Sequence, residues 1–146
     1  MSEHFIIWFH QYLDKLAKEI SSYQHPEKMW ELEGSILNSG GNLCTHLLGN
    51  LNYFIGTVIG ETGYVRQRDL EFSIKGVPVT DLVQQIEDTK AMIATTLRGI
   101  TDWEGIFPEN DYHFSGPIHS QMLRLLTHLG YHLGQLNYHR RLMDRA

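Results

Sequence analysis

The chain has 146 residues, with 12 Lys and Arg against 17 Asp and Glu, a net charge of −5, and a single Cys. That length suits one domain over residues 1–146, and the negative balance argues against non-specific nucleic-acid binding, which neutralises phosphates with lysine and arginine. One cysteine excludes an internal disulfide framework and a cysteine-rich zinc site, and no apolar run approaches the roughly 20 residues that span a bilayer.

Apolar content of 42% is ordinary for a chain with a packed core. The apolar run over residues 5–9 is too short for a signal-peptide core and stops at His10-Gln11. A soluble, reduced, cytoplasmic protein that binds neither nucleic acid nor membrane is the expectation. Nine histidines are the one excess in the composition.

Residues 3–22 read as a first helix, with Phe5, Phe9, Tyr12, Leu13, Leu16 and Ile20 at helical spacing. Ile7 and Trp8 fall outside that stripe, so apolar side chains run nearly all round its start, whereas a helix in a monomeric bundle needs one apolar face. A homodimer with Ile7 or Trp8 at its interface is therefore expected. His25-Pro26 ends the helix, because the residue before proline disfavours the α region. Asn38 or Ser39 then caps a second helix ending near Gly60, with Leu43, Leu47, Leu51, Phe54, Ile55 and Val58 as its stripe. Residues 61–79 read as a loop with a short extended piece at 70–74, long enough to be a candidate functional loop.

A third helix over residues 80–98 starts at Thr80 as its cap, buries Val83, Ile86, Ile93 and Leu97, and stops at Gly99. The connection over 100–115 carries Trp103, Phe107, Tyr112 and Phe114 and reads as a lid on the core. A fourth helix begins near Ser115, holds Pro117 in its first turn and runs to about residue 144, with Ile118, Met122, Leu125, Leu129, Leu136 and Met143 as its stripe. Four amphipathic helices without a strand pair predict an all-α fold, a four-helix bundle with two connections long enough to cross it.

His128 and His132 are four apart and point from one face of the fourth helix. With Leu125 as zero and 100° per residue, Leu129 and Leu136 lie within about 40°, His132 near about −20°, His128 about −60° and Gln135 about −80°. The two histidines thus flank the core stripe and face a neighbouring helix. His139 shares that direction but lies about 10 Å further along the axis, too far to share an ion. On the second helix His46 and Asn50 form a similar polar edge. A third imidazole from His46 would complete a three-histidine site with open positions, the way catalytic zinc is usually held. The competing reading is a set of hydrogen-bonded core-edge histidines. No carboxylate is placed for a di-iron site.

The stretches His46-Leu-Leu-Gly-Asn50 and His128-Leu-Gly-Tyr-His132-Leu-Gly134-Gln135-Leu-Asn-Tyr138 resemble motifs of the DinB-like superfamily. Arg66-Gln-Arg68-Asp69-Leu-Glu71-Phe72 resembles a signature of one uncharacterised subgroup. Element order and length agree over essentially the whole chain. The resemblance implies a four-helix bundle with a metal on His46, His128 and His132. It also implies kinship with bacillithiol- and mycothiol-dependent transferases and isomerases and with metal hydrolases, many of them homodimers. Many relatives carry His-Arg-Gly-Gln where this chain has His132-Leu133-Gly134-Gln135, so substrate class does not transfer.

Gln135 and Asn50, each one turn from a histidine, could orient a metal-bound group or merely bond backbone and solvent. Arg66, Arg68, Asp69 and Glu71 either reach over the pocket, an arginine such as Arg68 pairing with a carboxylate of a thiol cosubstrate, or form a salt-bridged loop. Gly134, costly in a helix interior, reads with Gly130 as permitting close helix approach or room for a bound group. Cys44 reads as a small buried hydrophobe. His4, His10, His25, His113, His119 and His139 read as surface or structural. The expected function is that of a metal-dependent enzyme with Zn, Ni, Cu or Fe on imidazole ligands. It would deliver a low-molecular-weight thiol to a small electrophile or activate water for hydrolysis; a non-catalytic metal-binding stress-related protein is the rival. No acid or base residue stands out.

Overall fold

The computed structural model describes residues 1–145, so Ala146, the last residue of the expected domain, lies outside the described residues. Its helices are α1 (Ser2–Ser21), α2 (Gly40–Leu51), α3 (Arg68–Ser73), α4 (Val79–Arg98) and α5 (Ile118–Met143), and no strand occurs among the described residues. A 3₁₀ turn over Pro26–Trp30 precedes α2, and a π-helical stretch over Asn52–Ile59 continues it. The four long helices share one core. α1 and α2 each pack against both α4 and α5, and α3 lies on α2. No helix among the described residues is long and apolar enough to cross a membrane.

The stripe on α1 buries Phe5, Ile6, Phe9, Leu13, Leu16 and Ile20, while Tyr12 is half-buried; Glu3 in the first turn and Lys18 in the last complement the helix dipole. Ile7 and Trp8 are about half exposed, as their position off the stripe requires. α2 begins as expected at Ser39, whose Oγ accepts from the Asn42 N–H at 3.2 Å. It is buried on nearly every side, so its polar residues need internal partners.

Asn42 meets that need and thereby fixes α3. Its Nδ2 donates to the carbonyls of Glu71 (3.0 Å) and Ile74 (2.8 Å), and Thr45 Oγ1 donates to the Glu71 carbonyl as well. Of the extended piece expected at 70–74, residues 70–73 are helical and Ile74 is extended. The buried residue of α3 is Glu71, while Leu70 is exposed.

Two other helix starts differ from expectation. α4 begins at Val79 behind Pro78, whose carbonyl accepts from the Asp81 and Leu82 N–H groups, and Thr80 caps nothing. Leu82 is buried on its core face and Val83 only half-buried. Pro117 is the residue before α5, in an extended conformation, rather than part of its first turn. The connection between α4 and α5 covers the core as a lid. Trp103 stacks on Phe5 with centroids 5.3 Å apart, and Phe114 on Phe54 at 3.9 Å.

His139 is buried and structural, with Tyr23 Oη 2.7 Å from Nδ1 and the Glu31 carbonyl 2.8 Å from Nε2. Cys44 is fully buried and burial pushes its thiol up to about 12, which leaves it a small hydrophobe. Gly130 and Gly134 do not serve close helix approach, since a methyl group at either would meet nothing within 4 Å. Gly41 is the opposite case, because a methyl there would run into the Trp30 ring. Gly134→Ala is therefore expected to raise stability by about 1 kcal/mol through helix propensity alone, and Gly41→Ala to lower it. Urea unfolding midpoints of the two variants check both signs.

Candidate metal centre

The polar edge of α2 carries His46, and the facing edge of α5 carries His128 and His132. His46 Nε2 lies 3.2 Å from His128 Nε2, and one ring nitrogen from each of the three residues lies within 4.8 Å of the other two. Two imidazole nitrogens bound to one tetrahedral zinc-sized ion sit about 3.3 Å apart, given metal–nitrogen distances of about 2.0–2.1 Å. The His46–His128 pair already has that spacing, and the half-buried His132 is the member that must close.

Two of the three rings are aimed by what holds their other nitrogen. His46 Nδ1 is 3.0 Å from Glu71 Oε1, and both side chains are almost fully buried, at 7% and 5% exposed. A carboxylate accepts only, so the ring proton sits on Nδ1 and the Nε2 lone pair faces His128. Glu71 is in turn clamped by Arg66, with Nε to Oε2 at 2.9 Å and Nη2 to Oε1 at 3.1 Å. Burial alone would raise the Glu71 pKa, but the hydrogen bonds from His46 and Arg66, and the arginine charge, hold it below the usual carboxylate value. The Arg66 guanidinium rests 5.0 Å from the Tyr112 ring centroid, and Phe72 packs against His46 at 4.6 Å. Gly49 makes room for this arrangement, since a methyl group there would occupy the space of the Glu71 carboxylate.

On α5, Gln135 Oε1 accepts from His132 Nδ1 at 2.7 Å, which leaves the other nitrogen of His132 free to bind. His128 Nδ1 is buried without a partner. Burial lowers the His128 pKa to about 4, with His132, His46, Arg66 and Arg124 pushing the same way. Burial also lowers His132, against the opposing hydrogen bond from Gln135. Both imidazoles are therefore neutral at neutral pH, the form in which a histidine binds a metal.

Two cavities border the histidines. One, of about 250 Å³, opens beside His46 and His128 and is walled by Asn50, Arg66, Arg68 and Arg124 with Tyr112 and Phe114. The other, of about 640 Å³, opens beside His132 and Gln135 and is mainly apolar, with Leu37, Leu43, Tyr131 and Tyr138 among its walls. Among the described residues no acidic side chain lines either.

The structure thus brings together His46, His128 and His132, sets Gln135 on the third of them, and puts Asn50 and Arg68 on a cavity wall beside the first two. His139 stands apart, as its offset along the helix requires. Two residues take roles that the sequence did not assign: Glu71 as the partner of His46, and Arg124 as a wall of the smaller cavity. Arg124 lies four residues before His128 on α5, so helical spacing alone carried that signal. The 66–72 stretch is both a salt-bridged loop and part of the site, two readings that had stood as alternatives. Comparison of the chain with models of known families, with curated proteins and with solved structures finds no match.

Gly49→Ala is expected to destabilise by roughly 1–3 kcal/mol through overpacking against Glu71, and to be neutral or stabilising once Glu71 is replaced by Ala. A double-mutant cycle in urea checks this coupling. The histidine shifts carry a second expectation. The unfolded chain protonates His128 near 6.5 and the folded chain only near 4. The unfolded state therefore binds more protons between those values, and stability falls as pH drops from 6.5 to 4. Metal-free protein should lose melting temperature across that window, and His128→Gln should lose less. A drop of equal size in both would contradict the assigned shift.

Proposed function

We propose that His46, His128 and His132 hold one divalent transition metal, of the kind that suits imidazole ligands (Zn, Ni or Fe). We further propose that the chain is a metal-dependent enzyme of the DinB-like four-helix-bundle type, transferring a low-molecular-weight thiol to a small electrophile. The observation that carries the reading is a convergence of three imidazoles, from two facing helices, between two cavities and with no fourth protein ligand grouped with them among the described residues. Three protein ligands plus open positions is the pattern of a catalytic rather than a structural centre.

A bound divalent ion would supply the positive charge that holds a thiol as thiolate. The chain's own residues do the rest. Glu71 and Gln135 fix the proton on Nδ1 of His46 and His132 and keep both rings turned inward. Leu133 stands where many DinB-like proteins have arginine, so this chain handles its substrate with other residues. The lack, among the described residues, of acidic groups on either cavity wall supports thiol chemistry over hydrolysis. A thiol ionises near pH 8.5 and needs little help beyond a metal's charge, whereas metal-assisted hydrolysis commonly draws on a nearby carboxylate base.

Elemental analysis of tag-free protein, followed by a thiol-plus-electrophile screen, tests the proposal. About one metal per chain is expected, with at least about tenfold weaker binding in His46→Ala, His128→Ala or His132→Ala and no change in His119→Ala. Thiol conjugation should disappear with the metal. Unchanged metal content in the triple histidine variant would end the metal reading, and thiol-independent ester cleavage would favour a hydrolase instead. A bound metal without either activity would mark a binding protein.

A further inference from the structure

We propose that the smaller cavity is a carboxylate-binding subsite, in which Arg68 and Arg124 grip the carboxylate of the small molecule that reaches the three histidines. Only the contact with a metal rests on the function proposed above; the subsite stands on the arginines themselves.

Three of the chain's 12 cationic residues line this one cavity of about 250 Å³, in a protein of net charge −5. They are not equivalent. Arg66 is occupied, because two of its nitrogens donate to Glu71, and that pairing cancels its charge. The guanidinium groups of Arg68 and Arg124 have no ion pair and donate no hydrogen bond to any side chain or carbonyl among the described residues. What holds them is aromatic. The Arg124 guanidinium lies 3.8 Å from the Phe114 ring centroid, and that of Arg68 lies 5.3 Å from the Phe72 centroid. Stacking uses the flat face of a guanidinium and leaves its donors, which lie in the plane, directed outward. Two guanidinium groups, one from α3 and one from α5, on a wall that among the described residues has no acidic group, offer the donors that a carboxylate matches.

A third group on the same wall narrows the ligand further. Asn50 is 6% exposed, and its Oδ1 is buried with no donor to satisfy it. A buried acceptor left unpaired is costly, so a ligand that brings an N–H or O–H to it gains what the protein lacks. The cavity volume lies below the roughly 300–1,000 Å³ of ordinary ligand pockets, so it takes a small molecule or one end of a larger one. A small carboxylate with a neighbouring N–H or O–H fits these groups, and a soft donor atom on it would serve the metal proposed above.

Calorimetric titration of the full chain, both metal-free and loaded with cobalt(II), tests this with two probes that share one thiol chain and differ in the carboxylate charge: 3-mercaptopropionate and its methyl ester. The cobalt absorption spectrum reports separately whether the thiol reaches the metal. The acid should bind at least about tenfold more tightly than the ester. Arg68→Gln and Arg124→Gln should each reduce that preference, and the double variant should bind both probes alike. Arg124→Lys, which keeps charge without the fork, should retain part of the preference. Equal affinity for acid and ester in the unmodified chain, or a preference that survives in the double variant, would overturn the subsite. If the chain takes up no cobalt, the metal reading fails on its own, and the acid–ester comparison on metal-free protein still decides the subsite: an arginine-dependent preference supports it, and its absence overturns it.

Discussion

The Glu71 carboxylate is 5% exposed and carries its charge among helices. A carboxylate removed from water is tolerated only where partners replace its hydration. Here both oxygens are taken up, by His46 Nδ1 on one side and the Arg66 fork on the other. The arrangement locks three elements at once. α3 must lie against α2, which the Asn42 and Thr45 hydrogen bonds to its carbonyls secure. Arg66 must fold inward over Tyr112 and Phe54. His46 must turn its other nitrogen toward α5. The absence of a side chain at Gly49 is what lets the carboxylate in.

The same centre holds groups that a purely structural core would avoid. His128 Nδ1 and Asn50 Oδ1 are buried without partners, within a few residues of the histidine cluster. Such groups lower stability by leaving desolvation uncompensated. Two of the three such groups among the described residues border the smaller cavity, and the third, Gln121 Oε1, lies near the start of α5. The two cavities differ in character, one cationic and aromatic, the other mainly apolar, so the histidines sit at a boundary where a polar and an apolar group can meet.

Much of this was legible in the sequence because helical periodicity is a robust signal. The stripe on α1 and the facing edges of His46 and His128/His132 follow from 100° per residue, the Ser39 cap from residue type, and the offset of His139 from the helical rise. Helix starts were less legible. Proline supplied the boundary at Pro78 and Pro117, where the sequence suggests Thr80 as a cap and a fourth helix starting near Ser115. α3 was hidden because what buries it is a glutamate held by long-range partners, and no local apolar pattern reports that. Of the two roles read for Gly130 and Gly134, close helix approach does not hold, since a glycine in a helix does not say whether its open side meets a neighbour or solvent. The clamp on Glu71 joins residues 46, 66 and 71 across separate elements, and only the packed structure reveals it.

X-ray absorption at the metal edge of the loaded protein addresses the central claim most directly, because it counts ligands at the centre itself. Three imidazole nitrogens at about 2.0–2.1 Å with at least one further light-atom ligand from solvent are expected for zinc, and the imidazole signal should drop by one in His132→Ala. A centre closed by four protein ligands, or one whose spectrum is indifferent to all three histidines, would contradict it.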